Sequence, residues 1–128
     1  MRKVLVTGAT SGIGAGIASA FAADGAQVWA TGATAAEVDA ATAARPALAH
    51  RMLDVRDGDA VAALLQELGE LDVVVNCAGI IRRGVELDPV EFARVVDINL
   101  TGTFLTIKYA VPFLKKQGGS VIITASVN

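Results

Sequence analysis

Residues 8–14 read Gly-Ala-Thr-Ser-Gly-Ile-Gly, three glycines spaced G-x-x-x-G-x-G directly after the apolar run Val4-Leu5-Val6. That spacing suits a backbone that must meet an anion. Gly8 permits a tight turn off a strand, Gly12 leaves room for a pyrophosphate to approach the main chain, and Gly14 lets the next helix pack close to its strand. A helix opening here offers unpaired N–H groups and partial positive charge, and Thr10 and Ser11 add hydroxyl donors. A glycine turn that binds nothing has the same spacing, so the motif alone leaves that alternative open. A nucleoside triphosphatase fits poorly, because its loop ends in Gly-Lys-Ser/Thr and no lysine occurs between Lys3 and Lys108. A second candidate is Asn99. Phe92, Val95, Val96, Thr103 and Ile107 define a helix face expected to turn toward a sheet, and Asn99 falls on it. A buried amide there needs partners, either in a site or as a satisfied core residue.

The elements that must carry these residues alternate along the chain. Residues 4–6 form a short buried strand, and 12–24 a helix with Ile13, Ile17, Ala20 and Phe21 on one face. A second strand at 28–31, an Ala-rich helix at 35–44 and a weaker strand at 48–53 follow. The next helix carries the stripe Val61, Leu64, Leu65 and Leu68. A fourth strand at 71–75 is apolar except for Asp72, as befits a strand buried on both faces. Residues 88–117 read as one long helical region, which Pro112 should kink or divide near residue 111. Gly118-Gly119 stops it, and residues 120–124 form a fifth strand. Strict β-α alternation predicts an α/β fold, a Rossmann-like doubly wound parallel sheet with strand order 3-2-1-4-5. Residues 1–128 are expected to form one dinucleotide-binding domain.

Composition narrows the function classes. At 53% apolar residues the chain can bury a sizeable core, and 11 Lys+Arg against 13 Asp+Glu leave no basic face of the kind nucleic acid requires. No apolar run approaches the roughly 18 residues of a membrane span. The start Met-Arg-Lys, with a strand from Val4, leaves no room for a signal peptide, and a single cysteine, Cys77, excludes an internal disulfide; both suit the cytoplasm. Cys77 has no evident basic partner and reads as a small filler rather than a nucleophile. No metal is expected. His50 reads as a surface strand residue and Trp29 as packing.

Five segments in order and register resemble the short-chain dehydrogenases/reductases. Thr7 to Gly14 (TGATSGIG) resembles that family's glycine turn, and Leu53-Asp54-Val55 the end of its third strand. Asn76-Cys77-Ala78-Gly79 resembles its N-N-A-G, Asp97 to Gly102 (DINLTG) the helix segment with its catalytic Asn, and Ser120 to Ser126 (SVIITAS) the strand delivering its catalytic Ser. The resemblance covers the whole chain. It implies cofactor contacts from Gly8, Thr10, Ser11, Gly12, Ile13, Gly14, Thr31, Asp54, Val55, Asn76, Ala78 and Gly79, with Asp54 at the adenine ring. It also implies Ser126 on the substrate oxygen and Asn99 holding a water in a proton relay. Structural alternatives stand beside three of these: Asp54 as a helix cap, Asn76 as a tie between strands, and Ser126 as an ordinary polar strand end.

The resemblance further implies a Tyr-x-x-x-Lys motif about thirteen residues beyond the Ser, whereas the chain ends two residues after Ser126. Tyr109 is followed by Phe113 at the fourth position and does not supply the motif. A truncation before the family's last two strands is therefore expected, with an inactive 128-residue chain and a fifth strand left as a sheet edge. The implied activity is that of an NAD(P)-dependent oxidoreductase interconverting a secondary alcohol and a ketone on a small-molecule substrate. A 3-oxoacyl reductase and a non-catalytic dinucleotide sensor are the alternatives. Residues 31–34 (Thr-Gly-Ala-Thr) offer neither the acid that binds ribose hydroxyls nor an arginine for a 2′-phosphate, which leaves NAD or NADP open with NAD slightly favoured. Ile80-Ile81-Arg82-Arg83 is similar to a run in sugar-acid dehydrogenases, where Arg82 or Arg83 would pair with a carboxylate; two solvated arginines are the alternative. Homo-oligomers of the full-length protein, dimers or tetramers formed through the helix at 101–117 and a further helix beyond this chain, are the state the family implies.

Overall fold

The structure, a computed structural model, describes residues 1–114, 116 and 118–126. Five parallel strands form one sheet in the order β3-β2-β1-β4-β5. They are β1 (Lys3–Thr7), β2 (Gln27–Gly32), β3 (Ala49–Met52), β4 (Val73–Asn76) and β5 (Ser120–Ile123). β1 sits at the centre, with Val4 opposite Val28 on one side and Val73 on the other. Its residues divide between two cores, which is why the run is apolar without alternation. Leu5 joins Val74, Val61, Leu65 and Leu71 on one face, while Val4 and Val6 join Ala18, Val28 and Val75 on the other. Asp72 interrupts the apolar run because it serves the backbone: its carboxylate accepts the Lys3 N–H at 2.8 Å, just before β4 begins.

The helices are α1 (Gly12–Ala23), α2 (Ala35–Ala44), α3 (Gly58–Leu68), α4 (Pro89–Val96) and α5 (Gly102–Leu114), with a π-helical turn, Asp97–Thr101, between the last two. α3 buries Val61, Leu64 and Leu65, with Leu68 packed beside them, as its periodicity predicts.

Three sequence expectations need correction. α1 turns Gly14, Ala15 and Ala18 inward, with Ile17 and Phe21 beside them, and leaves Ile13 69% exposed and Ala20 exposed. The helix lies too close to the sheet for Ile13 to fit beneath it, so the smallest residues mark its buried face. Pro112 does not divide the long helix. It lies exposed near the end of α5, and the carbonyl that loses its N–H partner belongs to the exposed Lys108, where water can replace it. The interruption comes earlier, at the π turn. One extra residue in that turn rotates the two halves out of phase. The inward row is consequently Gly102, Thr106, Ala110 and Leu114, while Phe92 is 61% exposed and Asn99 is exposed. The expected extension through Lys115 and Gln117 falls outside the described residues.

Candidate functional site

The glycine turn is fixed by close approach. Gly8 has φ +60°, and a Cβ on it would lie 2.5 Å from the Ala78 backbone. Thr7, buried at the end of β1, accepts the Ala78 N–H at 3.4 Å, so the ends of β1 and β4 are bound together. A Cβ on Gly14 would run into the Gly8 carbonyl, which sets how near α1 comes. Gly12 differs: φ is +57° but a Cβ would meet only open space. Its glycine answers to backbone conformation and leaves the main chain approachable from outside.

α1 also begins differently from the helices around it. Thr34, Asp57 and Asp88 each cap their own helix with a side-chain oxygen, and each of those helices has an acidic residue in its first turn. Ser11 occupies the same position on α1 without capping it, and α1 has no acid in its first turn. The first N–H groups of α1 therefore keep both their donors and their partial positive charge.

This entrance borders a cleft of about 410 Å³ at the carboxyl ends of β1 to β4. Gly8, Thr10 and Ser11 line one part. Gly32, Ala33, Thr34 and Glu37 line a second, Leu53 to Arg56 a third, and Cys77 to Ile80 a fourth, with Arg94 and Ile98 closing it. Of the residues proposed for cofactor contact, the cleft brings together Gly8, Thr10, Ser11, Asp54, Val55, Ala78 and Gly79. Gly12, Ile13 and Gly14 stand beside it without lining it. Thr31 is fully buried in the sheet, with its hydroxyl unpartnered among the described residues.

Asp54 follows β3 and is clamped by Arg56, whose Nε and Nη2 donate to its two oxygens at 3.0 and 2.8 Å. These hydrogen bonds hold the Asp54 carboxyl below its ordinary value, against a weaker effect of burial, so it is an anion at neutral pH. Asp57, not Asp54, caps α3. Asn76, 4% exposed, donates from Nδ2 to the Ile122 carbonyl at 3.2 Å and so ties β4 to β5; its Oδ1 has no partner among the described residues. Cys77 is half-buried, with its sulfur 3.1 Å from the Thr124 hydroxyl.

Asn99 sits in the π turn. Its Oδ1 accepts the Ile80 N–H at 2.8 Å and its Nδ2 donates to the Ile80 carbonyl at 3.0 Å, a reciprocal pair that fixes the loop after β4. The amide's partners are thus backbone groups beside the cleft rather than the core. Ser126 is exposed beyond β5 and does not line the cleft. Nor do Arg82 and Arg83; Arg82 donates from Nε to Glu91 at 2.9 Å, and Arg83 is exposed. The cleft's own cations are Arg56 and Arg94, and beside Asp54 its other acid is Glu37, none of which motif reasoning singled out. Glu37 had a signal in the sequence, since Thr34-x-x-Glu37 has the spacing of a helix-capping box. Arg56 lies two residues beyond Asp54, inside reach of the motif that named it, whereas Arg94 had no signal, because only the fold carries α4 to this cleft.

The short chain dehydrogenase family model matches residues 2–128. Among curated proteins the chain is 39% identical over 129 residues to 2-keto-3-deoxy-L-fuconate dehydrogenase of Xanthomonas campestris pv. campestris, a match spanning 98% of this chain and 43% of that protein. It is 41% identical over 135 residues to D-threitol dehydrogenase of Mycolicibacterium smegmatis, across 95% of this chain and 51% of that one. Among solved structures, 2-keto-3-deoxy-D-gluconate dehydrogenase of Streptococcus agalactiae superposes with a TM-score of 0.82 at 32% identity, covering 98% of this chain and 51% of that one. The chain thus spans about half the length of the relatives it matches.

Proposed function

This chain belongs to the short chain dehydrogenase family, and from that premise we propose that it is the dinucleotide-binding part of an oxidoreductase interconverting a secondary alcohol and a ketone. The observation that carries the reading is the uncapped, acid-free start of α1 beside the cleft. An open helix N-terminus next to a turn whose Gly12 carries no Cβ fits a diphosphate, and the cleft's position at the strand ends fits the rest of a dinucleotide. Gly8, Thr10, Ser11, Gly12, Ile13 and Gly14 would hold the diphosphate through the turn, while Asp54 and Val55 would take the adenine and Ala78 and Gly79 the ribose. Thr31 and Asn76 would act from behind, through the sheet. A nicotinamide dinucleotide held there would supply hydride transfer to or from the substrate carbon.

Ser126 hydrogen-bonds the substrate's oxygen. Asn99, with one amide hydrogen left after its bonds to Ile80, positions the loop and holds a water for proton transfer. Titration of NADH into the chain tests the cofactor half of this reading. Saturable binding that Gly12→Ala abolishes, with a cooperative melt retained, is the expected result; absence of binding by the unaltered chain removes the reading.

A keto-deoxy sugar acid is the substrate class proposed, because the run Ile80-Ile81-Arg82-Arg83 follows Gly79 directly and the fuconate and gluconate dehydrogenases are among the relatives. In the catalytically complete protein, Arg82→Ala or Arg83→Ala should raise KM for such an acid far more than for a neutral polyol. Equal effects on both substrates would argue against a carboxylate partner.

A further inference from the structure

We infer that Glu37 selects NAD over NADP, doing from the first turn of α2 what an acid at the end of β2 would otherwise do. The inference rests on the dinucleotide reading above and deepens it. Position 32, at the end of β2, is a glycine and supplies no acid; the Thr10 side chain fills the space that a residue-32 side chain would take. The acid comes from Glu37 instead, five residues along, lining the same cleft as Gly32, Ala33 and Thr34.

Its position is fixed from both ends. The Glu37 Oε2 accepts the Ala33 N–H at 3.0 Å, and the Glu37 N–H donates to the Thr34 hydroxyl at 3.2 Å. This box leaves Oε1 as an acceptor for a ribose hydroxyl. It also places a negative charge where the N-terminus of α2 would otherwise attract a phosphate.

The segments that frame this part of the cleft carry no cation of their own for a 2′-phosphate. No lysine or arginine occurs from Val4 to Ala44, the stretch that supplies both the glycine turn and the β2–α2 segment. The cleft's arginines come from elsewhere, Arg56 from the loop after β3 and Arg94 from α4, and Arg56 is engaged by Asp54.

The experiment measures NADH and NADPH dissociation constants for the chain and for Glu37→Gln and Glu37→Asp. Glu37→Gln keeps an amide oxygen for the Ala33 N–H and removes only the charge, so the helix start is preserved. The unaltered chain should prefer NADH by about ten-fold or more, the scale expected for like charges a few ångströms apart in water, and the preference should narrow as salt is raised. Glu37→Gln should erase most of it, chiefly by tightening NADPH, whereas Glu37→Asp should retain it. Equal binding of the two dinucleotides by the unaltered chain, or a ratio that Glu37→Gln leaves untouched, overturns the assignment to Glu37 while the dinucleotide reading stands. Binding of neither overturns both.

Discussion

The three glycines of the turn share a spacing but not a reason. Gly8 and Gly14 have neighbours where a Cβ would be, the Ala78 backbone and the Gly8 carbonyl, and Gly8 also has positive φ. Gly12 has positive φ and nothing near. Alanine should therefore sort them. At Gly12 it should cost about 1–2 kcal/mol, the price of a left-handed conformation for a residue with a side chain. At Gly8 or Gly14 it should cost more than about 3 kcal/mol, because backbone on both sides must move. Urea denaturation of the three variants checks the order, and an equal loss at all three would mean that close approach is not what fixes Gly8 and Gly14. The spacing was legible in the sequence, and so was the role of Gly14 in close packing. That Gly8 faces the end of β4 was not, since the two segments lie about 70 residues apart and meet only because β1 and β4 pair.

At the scale of elements, the joint between α4 and α5 matters most to the site. The residues that flank it, Val96 and Gly102, keep helical dihedrals, and neither composition nor periodicity marks the extra residue of the π turn. Pro112, the visible breaker, lies where a lost hydrogen bond faces water and breaks nothing. The turn instead delivers the Asn99 amide to both backbone groups of Ile80, and Gly79 is small enough to allow it: a Cβ there would lie 3.2 Å from Asn99 Oδ1. Asn99→Ala should free the Ile80 amide, raising its hydrogen-exchange rate by ten-fold or more, about 1.4 kcal/mol of lost protection, with little change at the β1 and β4 amides. Unchanged exchange at Ile80 would show that the loop is held by something else.

For the whole molecule, His50 gives stability a pH dependence. The expectation of a surface residue does not hold, for it is half-buried on β3 and both ring nitrogens are shielded, with no hydrogen-bond partner among the described residues. Burial lowers its pKa from the ordinary 6.5, and Arg45 lowers it further; the Leu48 backbone opposes this without reaching hydrogen-bond geometry. The unfolded chain then binds the proton more readily than the folded one. Stability is accordingly full above pH 6.5 and falls as pH drops from there through the lowered value. Denaturation midpoints measured from about pH 7 to pH 5 should decline for the unaltered chain and stay flatter in His50→Val. Parallel declines would place the titration elsewhere. Among the described residues, no helix is long and apolar enough to cross a membrane.

Residue order was enough to read the alternation of strands and helices, the central place of residues 4–6 and the glycine turn. Those follow from local conformational preference and from the apolar runs that a doubly covered sheet demands. Tertiary structure alone decided which residues share the cleft. It brought Glu37 and Arg94 to it, left Arg82 and Arg83 off it, and turned Asn99 toward Ile80 rather than the core. The physical reason is that a cleft at the ends of four strands is assembled from segments far apart in sequence, whose meeting depends on strand pairing and on how near each helix can lie to the sheet.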